Sequence, residues 1–280
     1  MSLRLIVDGY EYTPDVFTFP GGEVNVNFLN TNKGLRKMPS VSRIVVEAKL
    51  RNSDDVMALL LLSDALDVWL VHGGARVDLV IPYPPYARQD RVCNKGEAHS
   101  LRVMCNLINQ MDFNTVTVYD PHSIVTEALI DNVIVKDQVD ILESDIGLSN
   151  KLRAGNYVIV SPDSGAEKKA MKVAQYFGCD MIRATKRRDM ATGKIQEIGL
   201  IDPIPRGRSF LIVDDICDGG GTFIPLASEL GGRDHKVELY ITHGIFSKGT
   251  QILLDHFDTI YTTDSFYEGQ SDRNIKVIKL

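Results

Sequence analysis

The feature that most limits what this chain can fold into is an alternation repeated along its length: short β-branched runs ending at a loop, each followed by a longer helical pattern. SRIVVEAKL leads into SDDVMALLLLSDALDVWLV, then come VDLVIPYPP, a helix through HSLRVMCNLINQM, and TVTVYDPH. Strands joined by crossover helices lie parallel, whereas antiparallel neighbours need only a tight turn. NYVIVSPDSG, AEKKAMKVAQYFG, MIRATKRRD, SFLIVDDICDGGGT, FIPLASELG and KVELYITHG repeat the plan in the second half. The pattern predicts an α/β protein of two similar domains, each a mainly parallel sheet flanked by helices, with the boundary between Lys136 and Asp140. VDLVIPYPP corresponds loosely to NYVIVSPDS, and TVTVYDPH to SFLIVDDI, a weak sign of internal duplication. Ser53 followed by Asp54 and Asp55 reads as a helix start, a capping hydroxyl and two carboxylates meeting the free amides of a first turn.

With 280 residues, 44% of them hydrophobic, the chain can bury real cores. Its net charge of −6 is spread without a basic stripe, so the electrostatic footprint of a nucleic-acid binder is missing and anionic ligands must be held by local groups. Cys93, Cys105, Cys179 and Cys217 show no CxxC pairing or metal-ligand spacing, and MSLRLIVDGY has no signal-peptide core. These features predict reduced thiols in a cytoplasmic protein. The most apolar stretch, Val56 to Val71, is broken by Ser63, Asp64 and Asp67, which suits a helix packed on a sheet rather than a membrane span. Between Lys186 and Arg208 the pattern fades into charged residues without helical period, which predicts a long mobile loop.

The most informative chemistry lies in SFLIVDDICDGGGTF. A buried-type strand, Phe210 to Val213, runs into two acidic residues and then a glycine cluster closing on Thr222 before a helix. Consecutive glycines let a backbone approach a ligand and turn amides toward it, and the helix start favours an anion. No Lys follows the glycines, so this is not the ATP-type GxxxxGK[ST] loop. Asp214 and Asp215 at the strand end suit a sugar diol or a magnesium ion.

VDDICDGGGT resembles the phosphoribosyl-pyrophosphate signature of type I phosphoribosyltransferases and of ribose-phosphate pyrophosphokinases. The resemblance implies that Asp214 and Asp215 bind ribose hydroxyls, and that Asp218, Gly219, Gly220, Gly221 and Thr222 surround the 5-phosphate of ribose 5-phosphate. Five further segments resemble the pyrophosphokinase family, in the family's order and across almost the whole chain. PYARQDRV is similar to its ATP-contacting loop, implying nucleotide binding by Arg88, Gln89 and Asp90. YDPH resembles its DxH segment, which puts His122 at a Mg-ATP site, directly or through coordinated water. VSPDSG resembles VSPDxG and implies that Asp163 is magnesium-associated. TKRRD resembles the start of its catalytic loop and implies that Lys186 and Arg188 stabilise the transferring group, with Arg187 facing solvent. FPGGE is also similar to the family's FSDGE, where Phe19 and Glu23 would meet adenine, often beside a neighbouring subunit.

By resemblance, residues 1–137 are an ATP-binding domain and 138–280 a ribose-5-phosphate-binding domain of type I phosphoribosyltransferase character. The implied reaction is attack of the ribose C1 hydroxyl on the β-phosphorus of ATP with loss of AMP, assisted by Mg2+, in a homo-oligomer. A phosphoribosyltransferase and a catalytically silent regulatory paralogue are the competing readings. Gly21 stands where the family has aspartate, which predicts weaker discrimination of ATP from other nucleoside triphosphates. Val125 replaces the glutamine of DxHxxQ, only a short segment precedes Phe19, and the chain stops at KVIKL where relatives continue into a helix. These departures bear on the family's usual hexamer and allosteric nucleotide site more than on the chemistry.

Overall fold

Strands and helices alternate as the sequence predicts and fall into two units, Met1–Lys136 and Asp137–Leu280. The computed structural model describes residues 3–30, 32, 34–35, 40–70, 74–188, 195–231 and 235–280; the side chains at 186–188 and 195–197 lie outside the description. Unit one contains β1 (Leu3–Val7), β2 (Tyr10–Tyr12), β3 (Asp15–Thr18), β4 (Val24–Asn27), β5 (Arg43–Ala48), α1 (Ser53–Leu70), β6 (Arg76–Ile81), α2 (Ser100–Gln110), β7 (Thr115–Tyr119), α3 (Ile124–Leu129) and β8 (Val133–Lys136). Unit two contains α4 (Gln138–Ser144), α5 (Ile146–Arg153), β9 (Tyr157–Ser161), α6 (Glu167–Phe177), β10 (Asp180–Arg188), β11 (Ile195–Leu200), β12 (Ser209–Cys217), α7 (Phe223–Leu230), β13 (Val237–Gly244), α8 (Gln251–Leu254), β14 (Thr259–Thr263) and β15 (Ile275–Ile278).

In unit one the sheet order is β2-β1-β5-β6-β7-β8, and β3 and β4 form a separate hairpin. β5 through β8 are parallel, while β1 runs antiparallel to β2 and β5. Leu5, Val46, Leu79 and Val118 of the sheet share one core with Leu59, Leu62 and Leu66 of α1 and with Met104 and Ile108 of α2. α1 starts differently from the sequence expectation. Its cap is Asn52 rather than Ser53: Asn52 Oδ1 accepts the Asp55 N–H at 2.9 Å, and Asp55 Oδ2 accepts the Arg51 N–H at 2.9 Å. A carboxamide one residue earlier reaches the first-turn amides, which leaves Ser53 inside the helix. No helix of the described residues is long and apolar enough to cross a membrane.

Unit two has the order β11-β10-β9-β12-β13-β14-β15, parallel throughout except for β11. β9, β13 and β14 are buried along their whole lengths, as expected of strands covered on both faces. Alternate residues Val158, Val160, Phe210, Ile212, Leu239 and Ile241 pack with Phe223, Leu226 and Leu230 of α7. The loop expected from Lys186 onward is in part an antiparallel ribbon. Lys186 pairs with Ile198 and Ala184 with Leu200, with a bulge between Arg187 and Arg188. Ile198 and Leu200 rest on the unit-two core, an apolar alternation too short to stand out among charges. Asp202 then holds the returning chain by accepting two bonds from the Arg183 guanidinium at 3.0 Å each. Residues 189–194 lie outside the described residues.

At the amino-terminal end of β6, Asp78 is buried and accepts from Thr115 Oγ1 (2.8 Å), Arg43 Nε (2.8 Å) and Arg76 Nε (3.1 Å). Burial pushes its pKa up, but these bonds outweigh burial and hold it below the ordinary 3.8. A carboxylate whose folded pKa is lowered stabilises the fold above the unfolded pKa, and that stabilisation is lost as pH falls through the folded value. Asp78→Asn is therefore expected to cost roughly 1–3 kcal/mol at pH 7. Urea unfolding of both proteins at pH 7 and pH 3 checks this. The gap should narrow at pH 3, and an equal gap at both would show that the charge of Asp78 is not its source.

Candidate active site

Since β6 and β7 are parallel neighbours, the chain leaves both at the same edge of the unit-one sheet. The loop after β6 carries Arg88, Gln89 and Asp90, and the turn after β7 carries His122. Tyr86 is left-handed, with φ 62°, and its carbonyl accepts the Gln89 N–H at 2.9 Å while Ala87 is buried, which lifts Arg88 and Gln89 outward. Ser100 Oγ donates to Gln89 Oε1 at 2.7 Å, and the Leu101 N–H donates to the Gln89 carbonyl at 3.3 Å, which ties the loop to the first turn of α2. Arg91 Nε lies 3.3 Å from Asp90 Oδ1. Arg88 is exposed and has no ion pair among the described residues. His122, also exposed, follows the buried Asp120, whose N–H donates to the Lys136 carbonyl at 2.7 Å.

Phe19 and Glu23 bracket the turn of the β3–β4 hairpin. The Phe19 N–H donates to the Glu23 carbonyl and the Gly22 N–H to the Phe19 carbonyl, both at 2.8 Å. The Phe19 ring is half exposed and meets Phe17 edge-on at 5.2 Å. A Cβ on Gly21 would fall 2.5 Å from Glu23 Oε2, so the Glu23 carboxylate occupies the space that a side chain at position 21 would claim.

In unit two, β10, β9, β12 and β13 are consecutive parallel neighbours and end at one edge. β12 delivers Asp214 and Asp215 there, β9 delivers Asp163, and β10 carries the backbone of Lys186 and Arg188, whose side chains lie outside the described part. Asp215 is buried and its Oδ2 accepts from Lys169 Nζ at 2.8 Å. Asp214 Oδ1 accepts the Asp215 N–H at 2.9 Å. Burial first, and then the negative charge of Asp215, hold Asp214 well above the usual carboxylate range; Asp163 adds to this and Lys169 opposes it. Asp163 Oδ1 accepts the N–H groups of Gly165 (2.9 Å) and Ala166 (3.2 Å), so this oxygen also braces the entry to α6.

The glycines after β12 play different parts. Gly220 has φ +76°, and a Cβ on it would fall 2.8 Å from Leu253 Cδ2, so left-handed backbone and packing both favour glycine here. Beside Gly219 runs the aliphatic stem of Lys248, while Gly221 borders open space. Asp218 is exposed, and Thr222 leads into α7, whose first amides, Phe223 and Ile224, both donate to the Gly220 carbonyl at 3.0 Å. Cys217 closes the strand with its thiol pushed up to about 12, chiefly by burial, which leaves it unreactive.

Among the described residues no group of three or more His, Cys, Asp or Glu could hold a metal ion. Magnesium, which keeps several waters and takes one or two carboxylates plus substrate phosphates, does not require such a cage. In unit two the strand-end carboxylate of Asp163 fits that mode of holding, and in unit one, separately, so does the exposed imidazole of His122.

Residues 126–268 match the family model for the phosphoribosyl transferase domain, and residues 12–111 that for the N-terminal domain of ribose phosphate pyrophosphokinase. Ribose-phosphate pyrophosphokinase of Mesorhizobium japonicum is 30% identical over 246 residues, 85% of this chain and 76% of the relative. The chain belongs to the ribose-phosphate pyrophosphokinase family. The pyrophosphokinase of Pyrococcus abyssi is 29% identical over 245 residues, covering 84% of this chain and 77% of that relative. The crystal structure of phosphoribosylpyrophosphate synthetase from Mycobacterium smegmatis shares the fold, with a TM-score of 0.74 at 20% identity over 96% of this chain and 86% of that one.

Beyond the segments that resemble the pyrophosphokinases, the structure adds Lys169 and Ser100. Neither lies in a segment that resembles the family's motifs. The available signal is position: each sits in the first turn of a helix entered from a motif-bearing segment. The Asp214–Asp215–Lys169 arrangement predicts opposite responses to two substitutions. Asp215→Asn should bring the Asp214 pKa back toward the ordinary range, whereas Lys169→Met should raise it further. Carbon-detected NMR titration of the Asp214 carboxyl reads both; shifts in the same direction would refute the arrangement.

Proposed function

We propose that the protein transfers the β,γ-pyrophosphoryl group of ATP to the C1 hydroxyl of ribose 5-phosphate, forming 5-phosphoribosyl 1-pyrophosphate and AMP. The observation that carries this reading is the delivery of Asp163, the Asp214–Asp215 pair, the Asp218–Thr222 loop and the Lys186–Arg188 segment to one edge by neighbouring parallel strands. A phosphoribosyltransferase could use the same loop, but it has no need of the N-terminal pyrophosphokinase domain matched by residues 12–111.

In this reading Asp214 and Asp215 engage the ribose hydroxyls, and the glycine-loop amides hold the 5-phosphate at the start of α7. Arg88, Gln89 and Asp90 bind nucleotide, with Gln89 oriented by Ser100, and Phe19 and Glu23 meet the base. A single carboxylate at the hairpin turn is expected to relax the preference for ATP. Mg2+, when bound, would neutralise charge on the phosphate oxygens, held in unit two by Asp163, while His122 of unit one is assigned to Mg-ATP. Lys186 and Arg188 would then meet the charge that builds up on the transferring group, so positioning and electrostatics supply the rate without a covalent intermediate. The exposed Val16, Phe17 and Phe19 of the hairpin support a homo-oligomer with the ATP site near a subunit interface. The four free thiols suit a cytoplasmic setting.

Incubation with ribose 5-phosphate, ATP and magnesium should yield AMP and the pyrophosphorylated sugar in equal amounts, followed by 31P NMR. Folded protein that yields neither product would sink the reading. Lys186→Ala and Arg188→Ala are expected to lower kcat by about 100-fold to 1,000-fold with Michaelis constants within a few-fold, as when one transition-state contact is removed. Arg187→Ala should stay near wild type. Equal damage in all three, or losses confined to substrate affinity, would remove the catalytic role from this segment.

A further inference from the structure

The glycine loop carries no cation of its own. The loop's own charged side chain is the exposed carboxylate of Asp218, while its assigned ligand is a phosphate monoester, close to dianionic at neutral pH. Backbone amides and a helix start contribute only partial charges. The missing full charge comes from the neighbouring strand. Past the end of β13, the Ile245 and Phe246 N–H groups both donate to the Cys217 carbonyl, at 2.9 and 3.1 Å, and so fasten the β13 exit to the last residue before the loop. Phe246 and Gly249 are left-handed (φ 46° and 78°), and the Gly249 N–H donates to the Phe246 carbonyl at 2.8 Å, which makes a tight turn with Ser247 and Lys248 at its tip.

That turn is anchored from below. Phe246 is buried and meets the Tyr267 ring edge-on at 5.5 Å. A Cβ on Gly244 would stand 2.2 Å from Phe246 Cε2 and 2.7 Å from Thr262 Oγ1, so the aromatic ring fills the space a glycine leaves. From this base Lys248 sends its stem along the loop: Cε, Cδ and Cγ lie 3.2, 3.3 and 3.6 Å from where a Gly219 Cβ would be. The ammonium is one bond further on. Lys248 is exposed, and among the described residues it has neither hydrogen bond nor ion pair, although three carboxylates belong to the same strand end and loop.

We propose that Lys248 is a binding residue for the terminal phosphate of the sugar substrate, supplying the full positive charge that the glycine loop lacks. This rests on the assignment of the Asp218–Thr222 loop to ribose 5-phosphate. A flexible stem lying over a glycine delivers a point charge to an anion whose oxygens are already met by amides. The contact is made to the unreacting end of the sugar, so it belongs to ground-state binding and acts on affinity rather than on turnover.

Lys248→Met keeps the stem and removes the charge. The expected result is a rise of about 10-fold to 100-fold in the Michaelis constant for ribose 5-phosphate, the loss typical of a charge-assisted bond, with kcat and the ATP constant within two-fold of wild type. Lys248→Arg should recover most of the loss. Competitive inhibition by inorganic phosphate should weaken in parallel in Lys248→Met, and calorimetric titration of ribose 5-phosphate without ATP should show the same drop in affinity. Michaelis constants and titrations unchanged in Lys248→Met would overturn the proposal. So would damage in Lys248→Ala that Lys248→Met does not share, since that assigns the stem a packing role only. Wild-type protein that forms no product would count against the proposed reaction alone, because the calorimetric titration still decides whether Lys248 binds phosphate.

Discussion

The candidate site of unit two depends on one constraint, the parallel ladder β10-β9-β12-β13. In parallel pairing every strand points the same way, so each carboxyl end, and whatever residue the chain places there, arrives at one edge. Register then sets the spacing: Asp214 stands opposite Ile241 and Cys217 opposite Gly244. The candidate residues therefore sit on the last rungs, as Asp214 does, or just past them, as Asp163 and Asp218 do. The cost is paid in covering helices, since strands such as β9, β13 and β14 can be buried along their whole lengths only if both faces are packed.

Electrostatics at that edge follow from burial. Two unit charges about 4 Å apart repel by about 4 kcal/mol at an effective dielectric near 20, which favours a proton on one member of an adjacent carboxylate pair. Burial first, and then the charge of Asp215, hold Asp214 well above the usual carboxylate range. The Lys169 ammonium lies 2.8 Å from Asp215 Oδ2 and opposes the upward shift at Asp214.

Unit one uses the same geometric rule with different fittings. β6 and β7 deliver Arg88–Asp90 and His122 to a common edge, but the polar groups there are exposed and mostly held by turn geometry and by Ser100. The strong buried interaction of that sheet, Asp78 with Thr115, Arg43 and Arg76, is set at the opposite end of β6. Stability and chemistry are thus kept apart along one strand.

Much of this was legible in the sequence. The alternation of β-branched runs and helical patterns determined two α/β units, because burial on both faces of a parallel strand demands a near-continuous apolar run such as YVIVS. Asp214, Asp215 and the glycine cluster were likewise readable, since a strand-end acid pair followed by glycines is a local pattern. The pairing of β10 with β11 was not, because its apolar members, Ile198 and Leu200, are too few among charges to show a period. Nor was the partner of Asp215, which lies 46 residues away in Lys169. The side chain that closes over Gly220 is Leu253, and the stem beside Gly219 is that of Lys248. Periodicity reports which face of an element is buried. Which side chains meet across that burial is decided by strand register and helix packing, and these exist only once the chain has folded.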